Sequence, residues 1–437
     1  MTNLPKGSKK LLNAWAFYDW ANSVYTLTIA SAVFPIFYEA LFSKRSHYIE
    51  VFGLELKNSA LISFTTAFAF VFVAFFSPLL SGIADYVGNK KSFMKFFCYV
   101  GALSCMGLYW FNLENIYIGL LFYFLGLIGY WGSLVFYNSY LPDIAFPEQQ
   151  DKISAKGYSL GYIGSVILLI INLAMIMKPD LFYISGIPDV ARDKAMRYSF
   201  VMVGVWWILF SQYSYYFLPK GSKETNQKLS KDVVFNGFKE LKKVWAILKE
   251  NIPLKRYLGG FFVSSMAVQT VMLVATYFGA QEIAWASKEE STLGLIICIL
   301  IIQLVAVIGA VLTSRASEKF GNIPTLITIN IIWAVFCALA FFITLPMHFY
   351  VMATIAGFVM GGIQALSRST YSKLLPETED TASFFSFYDV AEKIGIVIGM
   401  CLYGIIDQIT GSPRLAIVFL GLFFVIAIFL LRRVHKK

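Results

Sequence analysis

Residues 81–89 read Ser-Gly-Ile-Ala-Asp-Tyr-Val-Gly-Asn, and a related stretch at residues 314–322 reads Ser-Arg-Ala-Ser-Glu-Lys-Phe-Gly-Asn. Each stretch lies between two long apolar segments, and the offset between them is 233 residues. A second pair, Tyr-Leu-Pro-Asp at 140–143 and Leu-Leu-Pro-Glu at 374–377, has an offset of 234 residues. The chain therefore contains two similar halves. Internal duplication of a strongly hydrophobic chain is typical of secondary transporters, whose substrate site lies between two halves that rock against each other.

The composition indicates a polytopic membrane protein. Of the 437 residues, 58% are hydrophobic and only 14% are charged, whereas soluble proteins average about 25% charged residues. A helix needs roughly 20 apolar residues to cross a bilayer. Twelve stretches meet that need, at about 13–42, 59–84, 93–111, 116–140, 157–177, 198–218, 257–281, 292–313, 325–345, 349–367, 384–409 and 415–431.

We therefore predict an all-α membrane protein with twelve transmembrane helices in two pseudo-symmetric six-helix bundles. Residues 1–218 would form the first bundle and residues 257–437 the second, with a basic cytoplasmic linker at 219–256. If the N-terminus is cytoplasmic, about 26 of the 36 lysines and arginines fall on the inner side, as the positive-inside rule requires. The net charge of +10 thus reports topology and does not indicate nucleic acid.

The linker has an amphipathic pattern. Phe238, Leu241, Trp245 and Leu248 recur at helical spacing and alternate with lysines. This pattern predicts a helix on the inner membrane face. Two interpretations remain open, a regulatory or lipid-specific role and a solvated tether held by anionic lipid.

No cofactor is expected. The five cysteines all fall inside apolar spans without paired spacing, and the three histidines lie in loops or tails, which predicts no metal site. The sequence also lacks a glycine-rich phosphate loop that ends in Gly-Lys-Ser/Thr. Any active transport would have to be driven by a gradient.

The loop at residues 82–91 resembles the signature of the major facilitator superfamily, in which a glycine and an aspartate are followed by a tight glycine turn and a basic pair. Gly82 permits close helix approach, Gly88 supplies the turn, and Asp85 can accept hydrogen bonds from the N-terminus of a neighbouring helix. Such a contact would latch an inner gate; the alternative is a topogenic loop with a turn. The candidate gate residues are Gly82, Asp85, Gly88, Lys90, Lys91 and, in the second half, Glu318.

The first span carries an acid. Asp19, Asn22 and Thr26 share one helical face, and Asp19 would lie roughly 9 Å into the helix. A carboxylate inside a span costs roughly 2.5–3.5 kcal/mol on insertion scales, so it should face a cavity or a partner. Asp19 is therefore a candidate to carry a proton or bind substrate, or else an interfacial acid that ties the helix to a neighbour.

The eleventh span contains a charged face. Asp389, Glu392 and Lys393 share it, and Asp389 and Lys393 can pair within the helix. Glu392 would then be free to meet Arg368 at the end of the tenth span. Two acids and two bases at one end of a bundle form either a charge-pair gate or part of a substrate and proton site.

Four further residues complete the list of candidates because they are polar or lie beside polar residues in the spans. Each is a ligand candidate, and the alternative for each is a hydrogen bond between helices. They are Tyr25, Tyr137, Asn138 and Tyr158.

Five segments together resemble one branch of the major facilitators, which includes the autophagy-related vacuolar amino-acid effluxers and their bacterial relatives. They lie at residues 15–23, 77–86, 136–142, 153–162 and 367–371, the last running on to 384–393, and Tyr-Asp-Trp-Ala-Asn and Ser-Arg-Ser-Thr-Tyr are the most distinctive strings. The resemblance implies twelve helices, alternating access and export of amino acids, the substrate of eukaryotic members. The chain lacks a large insertion and resembles compact bacterial members of the inner membrane. Family members often have Arg before the lysine pair, where this chain has Asn89.

The preferred hypothesis is a monomeric secondary carrier for a small solute, with amino acids as the candidate class, protons as the candidate coupling ion and membrane lipids as its surroundings. One alternative is a carrier of lipids or amphiphiles, which needs a lateral opening and apolar cavity walls. Another is a non-transporting sensor that signals through the linker. An enzyme is not expected, because no pair of nucleophile and base is visible.

Overall fold

A computed structural model of the chain describes residues 4–42, 48–51, 53–221 and 233–434. Residues 222–232 of the predicted linker, together with His47 and His435, lie outside this part. Within it the chain forms thirteen long helices and a two-stranded hairpin. The helices are α1 (Lys9–Phe42), α2 (Asn58–Val87), α3 (Lys90–Gly107), α4 (Ile116–Ser139), α5 (Pro147–Met177), α6 (Pro188–Phe217), α7 (Val233–Glu250), α8 (Ile252–Glu282), α9 (Lys288–Phe320), α10 (Asn322–Leu339), α11 (Pro346–Leu374), α12 (Thr381–Thr410) and α13 (Pro413–Leu431).

Every helix except α7 is a membrane span, which confirms the twelve-span prediction. Among the described residues, ten helices are long and apolar enough to cross a bilayer by composition alone. The other two are α6, whose first turns carry five charged residues, and α12, which contains Asp389, Glu392 and Lys393.

Several helices begin earlier than the apolar pattern predicts. α1 begins at Lys9 rather than at residue 13, and α5 begins at Pro147 rather than at residue 157. The added turns are polar because they reach past the hydrocarbon, so hydropathy alone does not detect them. The hairpin pairs β1 (Tyr48–Val51) with β2 (Leu54–Lys57) in antiparallel register between α1 and α2, and the sequence pattern did not predict it.

Each set of six spans has its own main hydrophobic core. The first core is built around Trp15 and Trp207, and the second around Trp333 and Phe424, whose rings stack with centroids 5.5 Å apart. Glycines allow close packing within a half: a Cβ on Gly361 of α11 would lie 2.1 Å from the backbone oxygen of Ala306 in α9. The fold is thus the pair of bundles expected, while the boundaries at residues 218 and 257 stay predictions.

The two halves meet at one end of the molecule, which we call the terminal face. It comprises the start of α1, the end of α13, and the turns after α2, α4, α9 and α11. Among the described residues, the hydrogen bonds between the halves all lie in the half of the bundle nearest this face. The deepest joins the Tyr162 hydroxyl, at the middle of α5, to the Gln364 side chain of α11. The structure is therefore closed at the terminal face.

Candidate functional site

An ion pair between the two halves lies at the centre of the closed end. Arg368 of α11 donates hydrogen bonds from its Nη2 and Nη1 atoms to the Oδ2 atom of Asp19 in α1, over 3.2 and 3.3 Å. Both side chains are buried, with exposed fractions of 2% and 5%. Because α1 begins at Lys9, Asp19 lies about 15 Å along the helix, at 1.5 Å per residue, which is deeper than the sequence predicted.

Residues of the first half also accept the other hydrogen bonds that the Arg368 guanidinium donates. The Nε and Nη2 atoms donate to the hydroxyl and the carbonyl oxygen of Ser154, each over 3.0 Å. The Nη1 atom donates to the Asn138 side-chain oxygen over 3.1 Å. One guanidinium from the second half is thus hydrogen-bonded to three helices of the first, α1, α4 and α5.

Aromatic rings enclose the same guanidinium. Its carbon lies 4.2 Å from the ring centroid of Tyr158, 4.8 Å from that of Trp15 and 5.4 Å from that of Tyr137. The Tyr137 hydroxyl also donates a hydrogen bond of 2.8 Å to Asp19 Oδ2. A cation against aromatic faces is stabilised best where water is excluded, so the rings and the carboxylate together offset part of the desolvation of Arg368.

Gly157 makes room for this pair. A Cβ at that position would lie 2.5 Å from Asp19 Oδ2 and 3.1 Å from the Tyr137 hydroxyl. Only a residue without a side chain lets the carboxylate, the phenol and the guanidinium meet here. Gly157 and Gly161 have the four-residue spacing typical of close helix packing, and the first of them also makes room for the ion pair.

The prediction that Glu392 contacts Arg368 is wrong. Arg368 bonds instead to Asp19, 349 residues away, while Glu392 accepts a hydrogen bond of 2.8 Å from Gln269 Nε2 of α8 and one of 2.9 Å from Lys393. Helical spacing shows which residues share a face of one helix, but it does not show which neighbouring helix that face meets.

The charged face of α12 forms a second cluster. The Asp389 carboxylate accepts a hydrogen bond from Lys393 within the helix, as the spacing predicted. The Lys393 ammonium lies 3.6 Å from the ring centroid of Trp131 in α4, so this cluster also faces the first half. Asp389 Oδ2 is buried and has no hydrogen-bond partner among the described residues. Two carboxylates therefore share one ammonium, and Glu392 keeps 18% of its side chain exposed.

The first-half loop caps a helix of the second half. Asp85 accepts hydrogen bonds from the backbone N–H groups of Ala382 and Ser383, over 3.2 and 2.7 Å, at the N-terminus of α12. This is the kind of contact that the sequence predicted, since an acid is favoured at a helix N-terminus. Its role as a gate latch stays a prediction.

The other loop residues support that contact. Gly88 ends α2 with a φ of 70°, the left-handed conformation expected of a turn glycine. The Lys90 ammonium is buried and donates to Asp143 and, across the halves, to the Thr381 hydroxyl over 2.9 Å. Lys91 instead donates to the carbonyl of Leu218, over 2.7 Å, at the end of α6. Gly82 allows close approach, but of the surface helix α7 and not of another span.

In the second half, Glu318 does not repeat the role of Asp85. Its side chain is exposed, and its buried neighbour Ser317 makes the contact by donating to Asp151 Oδ2 over 2.9 Å. Asn322 donates to the other oxygen of Asp151 over 2.9 Å, and Lys373 forms an ion pair with it. In both contacts the first half supplies the acid and the second half supplies the donors, so the second-half loop contributes a donor, Ser317, where the first-half loop contributes the acid Asp85. Asp151 was not among the predicted site residues, because the predicted fifth span began at residue 157 and the helix begins at Pro147.

Two remaining candidates, Asn22 and Tyr25, lie where α1 widens into a π-helical segment, Tyr25–Ala32. Both are fully buried, and among the described residues the Asn22 amide nitrogen and the Tyr25 hydroxyl have no hydrogen-bond partner. Tyr25 stacks on Tyr130 with centroids 4.9 Å apart. Such wide turns are frequent at functional sites, but among the described residues neither the Asn22 amide nitrogen nor the Tyr25 hydroxyl is hydrogen-bonded to the ion pair.

Comparison with known proteins finds one matching family model, and relatives and solved structures that match nearly the whole chain. The family model described as "Vacuole effluxer Atg22 like" matches residues 7–437. An uncharacterized MFS-type transporter of Bacillus subtilis, YxiO, is 32% identical, with 97% of this chain and 95% of that protein covered. Autophagy-related protein 22 of Kluyveromyces lactis is 24% identical, with 97% and 93% covered. Among solved structures, the E. coli fucose:proton symporter FucP superposes with a TM-score of 0.70 at 14% identity, with 98% of each chain covered.

Proposed function

The chain belongs to the Atg22-like family of the major facilitator superfamily, and from that premise we propose that it is a proton-coupled carrier that exports small zwitterionic solutes, amino acids among them. Membership of this transporter superfamily makes the protein a secondary transporter and not an enzyme. The substrate class, the coupling ion and the direction are our proposal. The Asp19–Arg368 ion pair between the halves is the observation that carries it.

The ion pair has to break when the terminal face opens, because its two members belong to different halves. Loss of one partner from a buried pair costs about 3–5 kcal/mol, since it leaves an unpaired charge. A zwitterion can offset that cost, because its carboxylate can bind Arg368 while its ammonium binds Asp19. An uncharged sugar offers neither charge. The pair therefore favours a solute that carries an ammonium and a carboxylate close together.

The α12 cluster is the proposed proton site. Asp389 and Glu392 share the Lys393 ammonium, so the cluster carries one net negative charge inside the membrane. Binding of one proton removes that charge and the cost of burying it. Glu392 is the better candidate because its side chain is partly exposed, so a proton can reach it from water.

We further propose that the terminal face is cytoplasmic and that the protein acts as a monomer in the plasma membrane of a bacterium. The distribution of lysine and arginine supports this orientation, and the Bacillus relative supports this location. Alternating access would then exchange the closed terminal face for a closed opposite face, and the Asp85 and Asp151 contacts would break together with the ion pair.

Counterflow in proteoliposomes tests the proposal. Vesicles are preloaded with a panel of unlabelled amino acids, sugars and lysolipids, and uptake of each labelled counterpart is followed for the wild type and for Arg368→Gln. We expect exchange of amino acids by the wild type and its loss in the variant. Exchange of lysolipids alone would support the amphiphile carrier, and ligand-induced stabilisation without exchange would support the sensor.

A further inference from the structure

One face of α7 covers the Asp85 latch. Gly237, Val244 and Leu248 of this face are buried. The contact with α2 is close, because a Cβ on Gly82 would lie 2.4 Å from the backbone oxygen of Gly237. Gly82 precedes Asp85 by less than one helical turn, so α7 packs directly against the segment that holds the latch.

α7 also contacts the capped end of α12. The Lys243 ammonium donates a hydrogen bond of 2.8 Å to Asp380, the residue just before α12, and this bond raises the pKa of Lys243. The Trp245 ring lies 5.5 Å from that of Phe387, measured between centroids. Asp85 binds the N–H groups of Ala382 and Ser383 between these two contacts. A displacement of α7 would therefore loosen the turn that the latch holds.

The opposite face of α7 is exposed and combines aromatic rings with lysines. Two of these pairs are in contact, since the Lys239 ammonium lies 4.7 Å from the Phe235 ring centroid and the Lys249 ammonium lies 5.3 Å from that of Trp245. Amphipathic side chains of this kind are typical of helices that lie in the bilayer interface. The exposed members are Phe235, Phe238, Lys239, Lys242, Lys249 and, at the edge of this face next to Phe387, Trp245.

The position of α7 fits the headgroup layer. The outer side of α2 exposes Phe64, Phe68 and Phe75 at helical spacing, which marks its lipid-facing stripe. Gly82 lies seven residues beyond Phe75, about 10 Å along the helix. The polar headgroup layer begins where the hydrocarbon ends and is several ångströms thick. Because α7 packs at Gly82, just beyond the end of the lipid-facing stripe, it lies at the level of this layer.

We propose that the exposed face of α7 binds the headgroups of anionic phospholipids, and that this binding holds α7 over the latch and stabilises the state closed at the terminal face. The lysines can pair with the negatively charged headgroups, and the aromatic rings can insert at the boundary between the headgroups and the acyl chains. Lysines alone would fit any polyanion, but rings exposed beside them fit a lipid surface. This lipid dependence is independent of which solute the protein carries.

Hydrogen–deuterium exchange of the full chain in nanodiscs tests the proposal. Discs of phosphatidylcholine alone are compared with discs that contain 30% phosphatidylglycerol. One lysine near an anionic surface contributes about 1 kcal/mol, roughly fivefold in an equilibrium. We therefore expect exchange to slow by about fivefold or more in peptides from α7 and in the peptide that contains Ala382 and Ser383.

Matched triple variants separate a lipid site from general surface charge. Lys239→Gln, Lys242→Gln and Lys249→Gln together should abolish the protection. The control changes three exposed lysines elsewhere on the terminal face, Lys152, Lys255 and Lys319, to Gln and should leave it intact.

Three results would overturn the proposal. The first is equal exchange by the wild type in both discs, which needs no variant. The second is equal loss of protection in both triple variants. The third is the same protection from soluble glycerol phosphate added to phosphatidylcholine discs, which would indicate a site for free phosphate.

Discussion

Asp19→Asn should open the terminal face. The substitution keeps the size of the side chain but removes the charge that pairs with Arg368, whose side chain is only 2% exposed. Removal of one member of a buried ion pair costs about 3–5 kcal/mol. Ser154 and Asn138 still bind the guanidinium, so we expect the lower limit, about 3 kcal/mol, which shifts the ratio of closed to open molecules about 150-fold.

Double electron–electron resonance measures this shift. Spin labels at positions 152 and 319, both exposed and on opposite halves of the terminal face, report the distance between the halves. Cys401 is replaced by Ser first, because the other four cysteines are buried. The wild type should give one short distance, and Asp19→Asn should add a longer one as the major population.

Two further variants make the result specific. Asp193→Asn is the matched control, since Asp193 pairs with Arg197 inside α6 and joins no two halves. It should leave the distance unchanged. Asp19→Asn combined with Arg368→Gln removes both charges and should restore part of the closed population. If Asp19→Asn gives the same distance distribution as the wild type, the ion pair does not hold the terminal face closed.

Three more predictions concern the same closed end. Gly157→Ala puts a methyl group 2.5 Å from the Asp19 carboxylate and should slow counterflow at least tenfold, whereas Gly259→Ala meets no heavy atom within 4 Å and should keep the wild-type rate. Tyr137→Phe removes a 2.8 Å hydrogen bond to the carboxylate and should shift the spin-label populations about tenfold, less than Asp19→Asn does. Asp151→Asn should shift the spin-label populations only about fivefold, because its partner Lys373 is 25% exposed and water weakens that ion pair. No shift would exclude Asp151 from the gate.

The fold was predictable because its signals are local. The length of an apolar stretch along the chain is enough to identify a span, and the repeat of the loop at residues 82–91 identifies the two halves. The sequence also predicted that Asp85 would accept hydrogen bonds from a helix N-terminus, because the acid and the glycines that point to this contact lie in one loop. The sequence did not show that this helix is α12.

The central ion pair was not predictable, because it depends on the packing of distant helices. Arg368 and Asp19 were both candidates, but the spacing on α12 favoured Glu392 as the partner of the arginine. Periodicity gives the face of each helix and leaves open which faces meet. Asp151 shows a different limit: it lies in polar turns that hydropathy assigns to a loop, although the helix already begins at Pro147.

The coupling of solute to protons is tested most directly in proteoliposomes that hold a pH-sensitive dye, with labelled amino acid and imposed pH gradients of either sign. We expect the amino acid to move in the direction opposite to the protons, and this direction to reverse when the pH gradient is reversed. The dye should report proton movement that matches the amino-acid flux. Glu392→Gln should keep exchange at equal pH and lose the gradient-driven accumulation. Equal amino-acid flux at gradients of both signs, without proton movement, would contradict a proton-coupled carrier.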